Sequence, residues 1–262
     1  MTGSGRESVA LAELTWTEIE TALASGVDTV VLPLGATEQH GPHLPTGTDT
    51  RLAGAIARRV ARELGGTLVA PPVPVGPSDE HAAFPGTVSV SAATLERLLR
   101  EYVDSCERQG FDRVVVLPGH GGCFPVVEAA YPALAREAGV DVVAITDLRR
   151  YMELLQAGLE EAGLDVDEPV VHAGASETAM MLAVAPDAVR DDLPAGYDGA
   201  VSATALFTEG VDAYAANGVL GDARPATAEA GEVVLRHVVD AYAAYVRAEF
   251  EELDDRRDGT SS

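Results

Sequence analysis

The chain has 262 residues, 47% of them hydrophobic, and 42 acidic residues against 18 basic ones leave a formal net charge of -24 at pH 7. Such a surface repels nucleic acid and anionic membrane, while the length suits one large or two small domains with a sizeable core. No apolar run approaches spanning length, and the N-terminus lacks a basic region followed by an apolar core. Two cysteines, Cys106 and Cys123, form neither a disulfide framework nor a CxxC knuckle, so a reducing, cytoplasmic setting is expected.

In chain order, residues 30–34 read as a buried strand and 50–64 as an amphipathic helix, with Asp49 a candidate cap for it. Residues 67–70 read as a strand, 92–109 as a helix ended by Gly110, and 113–117 as a third strand. Residues 124–138 follow as a helix, 140–146 as a strand, and 176–184 and 228–251 as later helices. Strand, loop and helix in alternation predict an α/β fold: one domain over residues 1–250, with a mostly parallel sheet flanked by helices on both faces. The stretch 158–169 is the most linker-like and is expected to be a mobile lid, and the acidic tail 251–262 is expected to fray. There is no internal repeat.

The chemistry-bearing residues fall where such sheets bind ligands, in loops beyond the carboxyl ends of strands. Residues 35–49 hold Glu38, His40, His43 and Asp49 just after the first strand, and Gly119-His120-Gly121-Gly122 follows the third. Glu38 and His40 sit two apart, so in extended backbone they point to one side, and the Pro/Gly-rich loop can return Asp49 beside them. Carboxylate and imidazole are donors that Zn, Mn and Fe accept, and a carboxylate can bridge two ions. Two further segments carry candidates: Ser78-Asp79-Glu80-His81, and His172-Ala173-Gly174 followed by Glu177 at the start of a helix. His172 or Glu80 would serve as general acid or base, with His81 orienting substrate. The N–H groups of Gly121 and Gly122 would stabilise an oxyanion or hold a substrate phosphate. Cys123 reads as small packing and His237 as structural.

Taken together, Thr37-Glu38-Gln39-His40-Gly41-Pro42-His43-Leu44-Pro45 with Thr48-Asp49-Thr50 resembles the first metal motif of the creatininase family of amidohydrolases. Phe84-Pro85-Gly86-Thr87, Gly119-His120-Gly121-Gly122 and Glu177-Thr178 before Met180-Met181-Leu182 resemble its later motifs in order, and Leu14-Thr15-Trp16 fits its start. The resemblance implies two divalent metal ions per subunit, hydrolysis of an amide C–N bond in a small molecule, and a homo-oligomer between dimer and hexamer. It makes Glu38, His40, Asp49 and His120 metal ligands, with Asp49 bridging. Creatinine-hydrolysing members carry a Glu two positions after the His120 equivalent, whereas this chain has Gly122 and then Cys123; Glu177 is the candidate replacement. Creatinine specificity also goes with a Trp over the substrate, and the single Trp here is Trp16. The Gly-His-Gly-Gly form instead resembles the branch holding the formamide hydrolase of archaeal riboflavin and deazaflavin synthesis, acting on a formylaminopyrimidine ribonucleotide, and the mycofactocin precursor peptidase. A creatinine amidohydrolase and a non-catalytic metal-binding protein complete the alternatives.

Every basic residue is Arg, and no Lys occurs. An excess of carboxylate of this size fits the cytoplasm of a halophilic archaeon, where salt screens the self-repulsion. The thermal unfolding midpoint is expected to rise between dilute buffer and molar KCl; equal midpoints would remove the halophilic reading.

Overall fold

The computed structural model describes residues 8–166, 168 and 172–260. Strands β1 (Thr29–Leu34), β2 (Thr67–Val69), β3 (Arg113–Pro118) and β4 (Asp141–Ala144) form one sheet in the order β2-β1-β3-β4, with every pairing parallel. Its helices are α1 (Trp16–Ala24), α2 (Thr48–Leu64), α3 (Ala92–Arg108), α4 (Cys123–Glu137), α5 (Leu148–Glu161), α6 (Ala175–Val184), α7 (Ala203–Glu209) and α8 (Ala228–Thr260).

The period-two geometry of a strand explains why near-continuous Val/Leu runs are needed here. Val115 and Leu117 of β3 point into a core shared with α2, α5, α6 and α8, while Val114 and Val116 point into a second core closed by α3 and α4. Leu32, Ile56, Leu99 and Leu155 are fully buried, and each such burial is worth roughly 1.5–3 kcal/mol. Helix starts are set by side-chain caps: Thr15 and Glu18 form a reciprocal capping box on α1, Ser91 accepts from the Thr94 N–H, and Asp147 accepts from the Arg150 N–H. Among the described residues, no helix is long and apolar enough to cross a membrane.

Four expectations need correction. Residues 158–161 are not a lid but the last turn of α5, and Gly158 is buried against Val234 of α8. Leu164 and Val166 also pack on the core, while residues 167 and 169 of that stretch lie outside the described residues. The C-terminal helix does not fray at 251: α8 continues to Thr260, with Asp254 paired to Arg113 at 2.7 Å and Arg257 paired to Asp141. Ser261 and Ser262 lie outside the described residues. Asp49 does not cap its helix, because α2 begins at Thr48 with Gly47 as the preceding residue. Helices α1, α5 and α7 were not among the expected elements, although the Thr15–Glu18 box and the spacing of Tyr151, Leu154, Leu155 and Leu159 signal the first two.

The tightest helix contact lies between α8 and α6, where a Cβ on Gly231 would run into the Ala179 carbonyl oxygen. Gly231→Val is expected to lower stability by roughly 1–3 kcal/mol, seen as a lower urea midpoint at unchanged slope.

Candidate metal centre

The loops at the carboxyl ends of the strands converge, as the parallel sheet requires. The loop after β1 delivers Glu38, Gln39 and His40, the first turn of α2 delivers Asp49, and a single 3-10 turn, Asp79–His81, delivers Glu80 and His81. The turn after β3 delivers His120, and the approach to α6 delivers His172 and Glu177. Glu38, His40, Asp49, His81, His120, His172 and Glu177 are all buried.

Asp49 faces two rings, with Oδ1 at 3.1 Å from His40 Nε2 and Oδ2 at 3.3 Å from His120 Nδ1. Glu38 does the same from the other side: Oε2 lies 3.3 Å from His120 Nδ1, and Oε1 lies 3.3 Å from His81 Nε2 and 3.7 Å from His172 Nδ1. Glu177 Oε2 stands 3.8 Å from His40 Nε2 and accepts the Ala173 N–H at 2.5 Å. The far side of two rings is anchored on backbone. His40 Nδ1–H donates to the Glu38 carbonyl at 3.1 Å, and His120 Nε2–H donates to the Pro77 carbonyl at 2.6 Å. Since a carbonyl can only accept, the His40 Nε2 and His120 Nδ1 lone pairs point at carboxylates, an arrangement that is repulsive unless a cation or proton lies between.

The buried polar atoms agree. Glu38 Oε2 and Asp49 Oδ2 are fully enclosed without a hydrogen-bond donor, their His120 contacts being poorly aligned. Three ligand atoms within 4.8 Å of one another are found for Glu38–His40–Asp49, for His40–His172–Glu177 and for Glu38–His81–His172. Buried charge of this kind demands a partner, and divalent cations suit oxygen and imidazole donors.

Protonation follows the same field. Burial favours a neutral His40 ring, yet the carboxylates of Asp49, Glu177 and Glu38 outweigh it and raise its pKa to about 10. His120 behaves alike: burial opposes its charge, and Glu38 and Asp49 hold it well above the ordinary range. Burial opposes ionisation of Asp49 too, but His40 and His120 hold its carboxyl well below the usual range. Burial, aided by Asp49, lifts Glu177 to about 7. His81 falls to about 4 and His172 well below its ordinary value, burial being the main cause for both.

The cluster forms one wall of a cavity of about 250 Å³. Glu80, Gly121 and Gly122 also line it, and the rest of the wall is largely apolar, including Leu148, Met152, Leu206, Phe207 and Val211. Glu80 is half-enclosed, and burial raises its carboxyl above the usual range. His81 stands against Glu38 at 3.3 Å and also lines the cavity. His43 is not at the cavity; it is buried beside Thr178 at 2.9 Å. Trp16 is 74% exposed on α1 and lines no part of the cavity. Cys123 is fully buried with its thiol pushed up by burial to about 12, and His237 pairs with Glu161 at 2.7 Å on the surface; neither belongs to the site. The roles of Gln39 and of the apolar wall on α7 were not read from sequence, because neither carries a metal-ligand or catalytic pattern.

Residues 12–246 match the family described as Creatininase, creatinine amidohydrolase. The chain belongs to the creatininase family. It is 37% identical over 233 residues to the mycofactocin precursor peptide peptidase of Mycolicibacterium smegmatis, covering 86% of this chain and 87% of that one. It is also 33% identical to the creatinine amidohydrolase of Pseudomonas putida, covering 93% and 98%. The crystal structure of a creatinine amidohydrolase superposes with a TM-score of 0.80 at 29% identity, over 93% of this chain and 98% of that one. Solved creatininases include a manganese form and a zinc–zinc form. With the clustered donors described above, this makes the chain a metal-dependent amidohydrolase of the creatininase family with a parallel α/β sheet.

The backbone around Gly122 is closely packed. A Cβ at Gly122 would run into the Pro77 carbonyl oxygen and come within 2.6 Å of His120 Nε2, so no side chain can replace the missing Glu from that position without moving the loop.

Because His40 and His120 hold protons at neutral pH when no ion is bound, metal uptake must displace them. Zinc titration by calorimetry at pH 7 should release protons, and affinity should fall as pH is lowered. Asp49→Asn should fold normally, lose high-affinity zinc binding and lose turnover with it; zinc retention with full activity would remove Asp49 from the centre.

Proposed function

We propose that this chain hydrolyses an amide C–N bond in a small, uncharged substrate with apolar flanks, a short peptide being the best fit. In this reading Glu38, His40, Asp49, His120 and Glu177 would hold two divalent ions, Zn, Mn or Fe, with Glu177 supplying the donor that Gly122 cannot. The observation that carries it is the contrast within one cavity: buried carboxylates and imidazoles at one wall, apolar side chains on the remainder, and no Arg among the described lining residues.

That contrast separates the candidate substrates. A formylaminopyrimidine ribonucleotide brings a phosphate, which calls for a bidentate Arg, and no Arg lies among the described lining residues. Creatinine would lack the Trp expected over it, since Trp16 lies elsewhere. An apolar peptide flank instead gains from Phe207, Leu206 and Met152. The mycofactocin precursor peptide peptidases among the relatives act, by name, on a peptide, which supports the same preference. A purely metal-binding role leaves the substrate-sized cavity and Glu80 without a purpose.

Bound divalent ions would supply Lewis acidity to the amide carbonyl and acidify a water molecule for attack. The chain supplies the remainder. Glu80, with its carboxyl held towards the protonated form by burial, is the proton donor for the leaving nitrogen. Gly121 and Gly122, at the start of the 15-residue helix α4, direct unused N–H groups and the positive helix end towards the developing oxyanion. His172 flanks the same space, 3.7 Å from Glu38 Oε1. The apolar wall excludes bulk water, which strengthens each of these interactions. A homo-oligomer belongs to the proposal by family resemblance, and a reducing compartment by the two buried free cysteines.

Zinc- or manganese-loaded protein offered a short apolar peptide, creatinine and a formylaminopyrimidine ribonucleotide should cleave the peptide fastest. Phe207→Ala should raise KM for it about tenfold at nearly unchanged kcat, in line with losing part of one aromatic contact. Preferential cleavage of the nucleotide would move the assignment to the formamide.

A further inference from the structure

Gln39 touches neither the cavity nor a carboxylate of the cluster, yet it is buried between two histidines that flank Glu38. Its Oε1 accepts the Gly41 N–H at 2.9 Å, which fixes which end of the amide faces which way. The NH2 end therefore faces His172 Nε2 at 2.7 Å, His81 Nδ1 at 3.0 Å and the Gly218 carbonyl at 3.0 Å. An amide nitrogen has no lone pair to accept a ring N–H, so each ring turns an unprotonated nitrogen to it, although its two hydrogens can serve only two of the three acceptors at a time. A neutral imidazole then carries its proton on the other nitrogen. For His172 that is Nδ1 and for His81 it is Nε2, the two atoms that lie 3.7 and 3.3 Å from Glu38 Oε1.

We propose that Gln39 is a positioning residue that sets the tautomers of His172 and His81 so that both rings point N–H groups at Glu38 and the reacting space. The consequence is a division of labour among five buried histidines. His40 and His120 are anchored on backbone carbonyls and turn lone pairs inward, as metal ligands do; His81 and His172 are anchored on an amide and turn hydrogens inward. His43 stays outside, beside Thr178. The close Glu38–His81–His172 grouping is thereby kept from acting as a further cation site, although its spacing would allow one. Glu38 Oε1 faces the His81 N–H at 3.3 Å, while the His172 N–H, 3.7 Å away, stays beyond hydrogen-bond distance of it, and Oε2 is the oxygen without a donor. His172 enters the reaction as a hydrogen-bond donor to substrate oxygen and not as a base.

The inference uses the same site as the proposed function, but its decisive readout needs no substrate, so a different preferred amide would leave it standing. Ring nitrogens of the zinc-loaded wild-type enzyme, labelled with 15N at histidine, are read by two- and three-bond proton correlations. His172 should be protonated at Nδ1 alone and His81 at Nε2 alone. In Gln39→Glu, whose carboxylate can only accept, the His172 proton should move to Nε2, and kcat should fall on the order of 10–100-fold with KM changed much less. Gln39→Met, which lacks donors, should leave a mixture of tautomers and an intermediate kcat. Zinc content measured beside each variant separates a lost ion from a turned proton. A wild-type spectrum with His172 Nδ1 unprotonated, or Gln39→Glu with the wild-type tautomers, would overturn the assignment; should the variants not fold, the wild-type spectrum decides by itself.

Discussion

Three buried carboxylates, Glu38, Asp49 and Glu177, meet at one place with no Arg among the described residues beside them, and the rest of the molecule is arranged around that constraint. Uncompensated buried charge costs several kcal/mol for each group, so the folded state needs protons or metal ions there. The surrounding histidines supply both solutions in turn. Without metal, the carboxylates favour protonated His40 and His120; in the proposed reading the same rings would offer lone pairs to ions.

The scaffold tolerates this centre because its two cores are complete without it. Alternating Val and Leu side chains of β1 and β3 fill both faces of the sheet, and the cluster sits beyond the strand ends, where loops and not strands carry the polar groups. Close helix contacts around Gly158 and Gly231 hold α5 and α6 against α8, and α6 in turn brings Glu177 to His40. A further buried carboxylate, Glu168, accepts the N–H groups of Ala175 and Ser176 and so satisfies the start of α6, the helix that presents Glu177.

Gly122 leaves no room for a side chain beside His120. The Pro77 carbonyl occupies the space a side chain would need, and that same carbonyl anchors His120, so restoring the acid would disturb the ring it should assist. Glu177 reaches the centre from a different helix, α6, and Phe207 and Leu206 on α7 make the opposite wall apolar.

Much of this was legible in order of residues alone. Alternating apolar runs and amphipathic stretches determined the parallel α/β architecture, because burial on both faces leaves that periodicity in the chain, and the ordered motifs around Glu38, Asp49, His120 and Glu177 marked the chemistry. Local signals failed where contacts are distant: the turn at 158–161 reads as flexible for its glycine, yet Val234 of α8 requires that glycine, and the acidic stretch after 251 reads as loose, yet Arg113 and Arg257 hold its helix. His81 joined the cluster, and Gln39 came to govern two rings, only through loops 42 and 133 residues apart in the chain. Residue type states what a side chain can donate or accept; which atom meets which partner depends on distances that long-range packing alone decides.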